Sequence, residues 1–485
     1  MVLLENGRPK LRPWDKAMYG VGSTAEAIVY TTTAAFLLLF YNQVRGIEAG
    51  HVSLALAAGM FVNAVFDPLV GSWSDRVRTK LGRRHPFLFA SILPGAICFY
   101  AVFNPPGGLS EAWELTWLVV FNVALLQCMS LYHTPHMAMG GELSNDYLGR
   151  SSIMAYNTFF LWVGDTLGWV LSFAWIFRAT PEFSQGALDP SRYEFFAGFF
   201  ALLIVIFCTA SALSTKKYIP HLPQPKADTP RFSAIEFWRD FMKALSNRNY
   251  VMLLIGMFFL SMMVGVRGAL WIYTASYFWQ LDSTQISFFA IGSFIGYLFG
   301  AFAVTRLHDR FDKRWTGMLA VVVYCVGPAI PLALGWFGIM GPDTPYLLWI
   351  LIAFSVLQHA PYSVLTTTVY SALADIADEN EVKHGMRQEG ILYAARTLFA
   401  RVDQAIGTAF AGWVLTIIAF PAKATPGEVS ETVLMSLAAA FVLTTIPGLI
   451  AAIFYGMLRV TKATYDDARA ILNSRQVEQE LQPPN

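Results

Sequence analysis

Long apolar runs alternate with short charged ones along the whole chain. Twelve of these runs are long enough to cross a bilayer as helices, which takes ~20 mainly apolar residues. They cover residues 17–41, 51–73, 86–103, 113–137, 153–177, 193–213, 250–279, 284–306, 316–338, 345–373, 391–420 and 432–457. Only helices or closed barrels satisfy their own backbone in lipid, and these runs are far too long for barrel strands. The pattern therefore predicts an all-α polytopic membrane protein. Composition agrees: 55% of the 485 residues are apolar and 14% charged, where an ordinary soluble chain has about 25% charged. The formal net charge of +1 points to no charged partner such as nucleic acid.

The runs divide into two sets of six. Residues 1–213 form a first half, 214–248 a linker, 249–457 a second half and 458–485 a tail. The linker is rich in Lys and Arg and carries Pro220, Pro223, Pro225 and Pro230. Within it, Ser233-Ala-Ile-Glu236 has the form of a capping box opening a short surface helix. Of the 34 Lys and Arg residues, Arg45, Arg178, Arg192 and Lys423 fall in loops on one side, Arg267, Arg396 and Arg401 within runs, and all others on the side of the termini. That asymmetry predicts that both termini are cytoplasmic. Residues 1–16 are polar and the first run is too long for a signal-peptide core, so no cleaved leader is expected. The four cysteines, Cys98, Cys128, Cys208 and Cys325, all lie inside apolar runs with no metal or disulfide spacing. Core packing accounts for them.

The two halves echo each other. The loop after the second run reads GSWSDRVRTKLGRRHP (Gly71–Pro86), and the loop after the eighth reads TRLHDRFDKRW (Thr305–Trp315). Each places Asp-Arg just past the membrane edge. The spacing of Gly71, Asp75, Arg76, Gly82, Arg83 and Arg84 resembles the loop signature of the major facilitator superfamily, with Asp309 and Arg310 as its second copy. That resemblance implies twelve helices in two six-helix halves, with a substrate site near the midplane. A plain positive-inside anchor is the alternative reading of these charges.

Polar groups within the runs sort onto helix faces by their spacing. Tyr19, Gly22, Glu26, Tyr30 and Thr33 share one face, and Asn63 and Asp67 another. His133 and His136 flank Pro135, which frees a backbone carbonyl. Thr158, Trp162 and Asp165 align, as do Arg267 and Trp271, and Gln358, Tyr362 and Thr366. Thr397, Arg401, Gln404 and Thr408 align with Arg396 and Asp403 nearby. Ionisable groups inside a membrane are functional by default. Carboxylates accept hydroxyl protons and aromatic rings stack on apolar sugar faces, so the set suits a polyhydroxylated ligand. The alternative for Glu26, Asp67 and Arg401 is a static buried ion pair. For His133 it is a hydrogen-bonded core histidine.

Three segments carry a closer likeness: YGVGSTAEAIVYTTTAAFLLLFYNQVRG, NAVFDPLVG with the GRRHPF loop, and ADIADENEVKHGMRQEGILYAARTLFARVDQAIG. With them the chain resembles the glycoside–pentoside–hexuronide:cation symporter family, to which melibiose permease belongs. The GRRHPF stretch is also similar to the proton-coupled sucrose transporters. The resemblance implies a cation site between spans 2 and 4 and a sugar site touching spans 1, 4, 5, 10 and 11. Asp67 matches one of the family's two span-2 cation carboxylates, and the other falls on Asn63. The span-4 acid falls on His133 and the span-5 arginine on Thr158. The span-11 lysine falls on Arg401. The span-1 sugar-binding acid falls on Ala27, with Glu26 one residue away and so about 100° around the helix. Asp375, Asp378 and Arg387 fall in the loop between spans 10 and 11 and, with the two Asp-Arg loops, are the expected gating motif on the cytoplasmic side.

The resemblance implies a symporter that takes up a sugar or glycoside with a cation, as a monomer in the bacterial inner membrane, with no resident cofactor or metal. Replacing acids by Asn63 and His133 favours H+ over Na+, because histidine titrates near neutral pH. The expected cation-coupling residues are Asp67, Asn63 and His133. The expected substrate residues are Glu26, Tyr30, Thr158, Trp162, Asp165, Tyr362, Thr366, Arg396, Thr397 and Arg401. The alternatives are an anionic sugar acid or amphipathic lipid as cargo, or an uncoupled sugar facilitator. No nucleophile–base pair, metal-ligand spacing or phosphate loop points to an enzyme, and the tail is short for a sensor's output domain.

Overall fold

The computed structural model describes residues 4–5, 8–9, 11–144, 147–222, 239, 241–243, 245–384, 389–459 and 471. A two-residue antiparallel pair, β1 (Leu4–Glu5) and β2 (Arg8–Pro9), precedes a succession of helices. These are α1 (Pro13–Leu39), α2 (Ala49–Ser74), α3 (His85–Val102), α4 (Glu111–Glu142), α5 (Tyr147–Val170) and α6 (Tyr193–Lys216). After the linker come α7 (Arg248–Tyr273), α8 (Phe289–Arg310), α9 (Lys313–Val326, resuming as Ala329–Trp336), α10 (Leu347–His384), α11 (Glu389–Ile417) and α12 (Glu431–Leu443, resuming as Thr445–Gly456). Among the described residues, eleven helical stretches are long and apolar enough to span a membrane, and α11 has 29 residues. The proposed capping box at 233–236 lies outside the described residues.

The helices begin and end for local reasons. Pro at the start of α1 has no amide hydrogen to lose there, and the Asp15 carboxylate accepts the Arg12 amide at 3.2 Å. Gly46, at φ 91°, turns the chain after α1. Prolines at 68, 94, 135 and 361 lie inside continuous helices. Pro328 does break one: α9 stops at Val326 and restarts at Ala329. α10 runs eleven residues beyond the apolar stretch, because ALADIADENEVKH holds no Gly or Pro and its Ala, Leu, Glu and Lys residues favour continuing the helix out of the membrane. Asp375 and Asp378 therefore lie on a helix rather than in a loop.

The chain forms two compact units. One comprises Met1–Phe232, Gly268–Ala290 and Thr408–Leu434, the other Ser233–Arg267, Ile291–Gly407 and Met435–Asn485. The first has a core of stacked rings, with Phe36 within 5.3 Å of Phe173, Phe177 and Phe196. α1 lies against α5 so closely that a Cβ on Gly164 would be 2.3 Å from the Thr24 carbonyl oxygen. The second unit is centred on Tyr250, Met263, Val321, Leu373 and Tyr455. There α8 presents Gly292, Gly296 and Gly300 to the α10 backbone. A Cβ on Gly300 would be 2.2 Å from the Ala360 oxygen, so only glycine admits this approach.

Candidate functional site

Glu26 lies midway along α1, 2% exposed. It faces α4, where His133 and His136 follow one another at i, i+3 and so share a face. His133 Nδ1 is 2.6 Å from Glu26 Oε2, and His136 Nδ1 is 3.5 Å from Glu26 Oε1. His136 is fully buried and stacks on Tyr19, with ring centroids 4.3 Å apart. Its Nε2 is 3.0 Å from the Tyr19 carbonyl oxygen. The Tyr19 hydroxyl donates back to the His136 carbonyl at 2.9 Å, and Ser211 of α6 donates to the Tyr19 carbonyl at 2.9 Å.

These partners assign the ring protons. A carbonyl only accepts, so His136 Nε2 carries a hydrogen. In a neutral imidazole the other nitrogen is then a lone pair. At His136 Nδ1 that lone pair faces Glu26 Oε1, and neither atom has a hydrogen-bond partner. One added proton, on either atom, turns this contact into an attraction. The other edge is already served, because a neutral His133 with its hydrogen on Nδ1 donates to Oε2. The cluster therefore has room for one exchangeable proton.

The flanking residues hold this arrangement. Ser23 donates to Asn157 Oδ1 at 2.5 Å, Thr24 donates to the Phe160 carbonyl at 3.0 Å, and Thr31 donates to Asp165, all of them tying α1 to α5. Trp162 and Tyr30 are half-buried and Thr158 is exposed. α2 crosses α4 where Gly59 meets Asn122 and where Gly71 meets Thr134. Asn63, buried, and Asp67, half-buried, lie on α2 between those crossings. Among the described residues, no group of three or more His, Cys, Asp or Glu side chains is arranged to hold a metal ion.

The loop signature forms a charge network. Arg84 Nη2 is 2.6 Å from Asp75 and 2.6 Å from Glu142, and Arg83 is 2.7 Å from Glu142. Arg84 also donates to Ser74 at 2.6 Å, and Arg76 to Ser72 at 2.8 Å. Gly82, at φ 72°, permits the turn that brings the two arginines back. The second copy behaves differently. Asp309 and Arg310 are exposed, and Arg310 lies over the Phe311 ring at 5.6 Å. Lys313 instead pairs with Asp375, and Asp378 is buried.

At the opposite membrane face the first unit is sealed by amides and phenols. Gln43 accepts from Tyr277 at 3.0 Å and from the Ala424 amide at 2.9 Å, and donates to the Pro421 carbonyl at 3.1 Å. Tyr273 donates to Asn42 at 3.0 Å. Asn42, Gln43 and Tyr277 lie on π-helical turns, Phe40–Arg45 and Thr274–Phe278, and Tyr273 ends α7 just before the second.

In the second unit, Tyr362 is half-buried beside Tyr324, ring centroids 5.3 Å apart. Thr366 donates to the Ser363 carbonyl at 3.0 Å. Arg396 stacks on Tyr370 and donates to its hydroxyl at 3.1 Å. Arg401 is half-buried. Arg387 and the Thr397 side chain lie outside the described residues. Arg267, 6% exposed, bonds no carboxylate. It donates to Thr444 at 2.8 Å, Thr445 at 2.9 Å and the Cys325 carbonyl at 2.7 Å, which are the breaks in α12 and α9.

Sequence reasoning brought Glu26 and His133 forward but under separate roles, and the fold joins them. It left His136 out of the site set, although its i, i+3 spacing from His133 marks the same face. Glu142 and Ser211 carried no sequence signal, since each reaches its partner only through helix packing.

Twelve long helices, eleven of them apolar enough to span a membrane among the described residues, with intramembrane ionisable groups and a charged loop signature, define a membrane transporter of the major facilitator type, not an enzyme. A family model described as "MFS/sugar transport protein" matches residues 18–462. The chain belongs to that family. It is 24% identical to the putative glycoside/cation symporter YagG of Escherichia coli, over 96% of this chain and 94% of that protein. It is 20% identical to a lactose permease of Lactobacillus delbrueckii, over 86% of this chain and 64% of that protein. Among solved structures, the fold matches a bacterial homologue of the human lysosomal transporter Spinster, inward-facing and unoccupied. That match has a TM-score of 0.64 at 12% identity and covers 96% of this chain and 99% of that one.

Proposed function

We propose that the protein is a proton-coupled symporter of a sugar or glycoside, in a bacterial inner membrane, with both termini cytoplasmic and working as a monomer by alternating access. The observation that carries the coupling is the contact between Glu26 Oε1 and His136 Nδ1, 3.5 Å apart and buried, which is complete only with one added proton. His133 serves the same carboxylate, so Glu26 joins the coupling residues. Asp67 and Asn63 keep their proposed part on α2, with Asp67 as the acid that communicates with this cluster across α4. Tyr30, Thr158, Trp162 and Asp165 are the proposed sugar contacts of the first unit. Tyr362, Thr366, Arg396, Thr397 and Arg401 keep that role in the second.

The names of the relatives support a glycoside or disaccharide as cargo. An anionic cargo has less support, because Arg267 is bound up in the breaks of α9 and α12 and is not free to meet one. Protonation and sugar binding are linked, so each strengthens the other by the same factor. A binding screen of the purified protein over glycosides, pentosides and uronates, at two pH values with and without sodium, tests the reading. We expect a neutral glycoside to bind several-fold more tightly at pH 6 than at pH 8 and to ignore sodium. Tighter binding of a uronate, or sodium dependence without pH dependence, contradicts it.

A further inference from the structure

An apolar groove of about 460 Å³ opens on the second unit where α8, α9 and α10 diverge below the Gly292–Gly296–Gly300 contact. Phe299 and Ala303 of α8, Trp315 and Leu319 of α9, and Pro361 and Val364 of α10 line it. Phe299 is 66% exposed and Leu319 53%, so the groove is open along one side. Its lining hydroxyl, Thr316, is turned inward and donates to the Phe311 carbonyl at 2.7 Å. Nothing polar is offered along the groove's length.

The end of the groove is different. Two lining aromatics each carry a guanidinium: Arg310 lies over Phe311 at 5.6 Å and Arg314 over Trp315 at 4.7 Å. Neither arginine makes an ion pair with a described residue. Arg314 Nε is buried and has no hydrogen-bond partner. Among the nearby charges, Lys313 is occupied by Asp375, Asp309 and Asp312 lie in the same turn, and Arg306 is exposed one helical turn earlier. The first copy of the loop signature uses its arginines in a closed network with Asp75 and Glu142, whereas this copy leaves two at the mouth of an apolar slot.

We propose that the groove is a binding site for an anionic phospholipid, one acyl chain lying along α8, α9 and α10 and the phosphate bound by Arg310 and Arg314. Stacking on Phe311 and Trp315 holds the guanidiniums at the membrane edge, where their charge and N–H groups can meet an anionic oxygen. The site faces the leaflet on the side of the termini, by the parity of the helices. It is independent of the cargo and of the coupling ion.

Native mass spectrometry of the full chain, loaded with equimolar phosphatidylglycerol and phosphatidylcholine of identical acyl chains, tests this. Wild type is expected to retain phosphatidylglycerol preferentially. Arg310→Gln and Arg314→Gln should each reduce that preference about five-fold, and Lys423→Gln, at the other membrane face, should leave it unchanged. Ala303→Phe should lower phosphatidylglycerol retention with both arginines intact. Equal retention of the two lipids, a preference that survives the double arginine variant, or equal competition by glycerophosphate lacking acyl chains overturns the proposal.

Discussion

Glu26 would be costly as a lone charge in hydrocarbon. Two imidazoles at 2.6 and 3.5 Å make it tolerable and give it a use. His133 completes one edge whatever the pH, while the His136 edge alternates between a repulsive and an attractive state with a single proton. In the proposed coupling, the proton sits at this contact. Replacing His136 by Phe keeps the ring stacked on Tyr19 and Tyr132 and removes both nitrogens. Tyr19 keeps one donor, Ser211, so the cost in stability is about 1 kcal/mol. The variant should bind sugar with an affinity that no longer changes between pH 6 and 8. Under the proposed coupling, wild-type affinity is expected to fall across that range. Binding isotherms at both pH values check this, and a variant with the wild-type profile would remove His136 from the coupling. The residue types of the cluster were legible from the chain, because carboxylates and histidines stand out in apolar runs. Their pairing was not. Glu26 and His133 are 107 residues apart, and helical periodicity fixes a face without fixing the helix it meets.

At the scale of elements, the apolar pattern placed each of α1 to α12, because hydropathy is read directly by lipid. It missed the breaks. Pro328 interrupts α9, although the prolines at 68, 94, 135 and 361 leave their helices continuous. The difference is Arg267, which bonds the Cys325 carbonyl at 2.7 Å and reaches the Tyr324 carbonyl at 3.4 Å. Tyr324 is the carbonyl that Pro328, lacking an amide hydrogen, cannot serve. The same guanidinium meets both threonines at the break in α12. Arg267 thus reads as a staple of two interrupted helices rather than a cargo ligand. Arg267→Met should lower stability by about 2–4 kcal/mol, since several buried acceptors lose their donor together, and Arg267→Lys should recover only part, because a point charge cannot span both breaks. Thermal unfolding in detergent measures this. An Arg267→Met protein as stable as wild type, with cargo binding lost, would place Arg267 in the substrate site instead.

For the whole molecule, the twelve-helix architecture and the family were both within reach of the sequence, through hydropathy and the loop signature. What the sequence left open was the use of each loop copy. One arginine pair closes a network with Glu142, and the other waits at the mouth of a groove, a distinction made by α4 and α8 packing rather than by the loop residues. The central claim is that the transported cation is a proton held at Glu26 with its two histidines. The direct test is uptake of a bound glycoside into proteoliposomes, driven by a pH gradient or by a sodium gradient, for wild type and Glu26→Gln. In wild type the pH gradient alone should concentrate sugar and the sodium gradient should not. Glu26→Gln should lose at least about ten-fold of the concentrative uptake while sugar exchange survives. Sodium-driven uptake that ignores pH, or concentrative uptake that persists in Glu26→Gln, would contradict that claim.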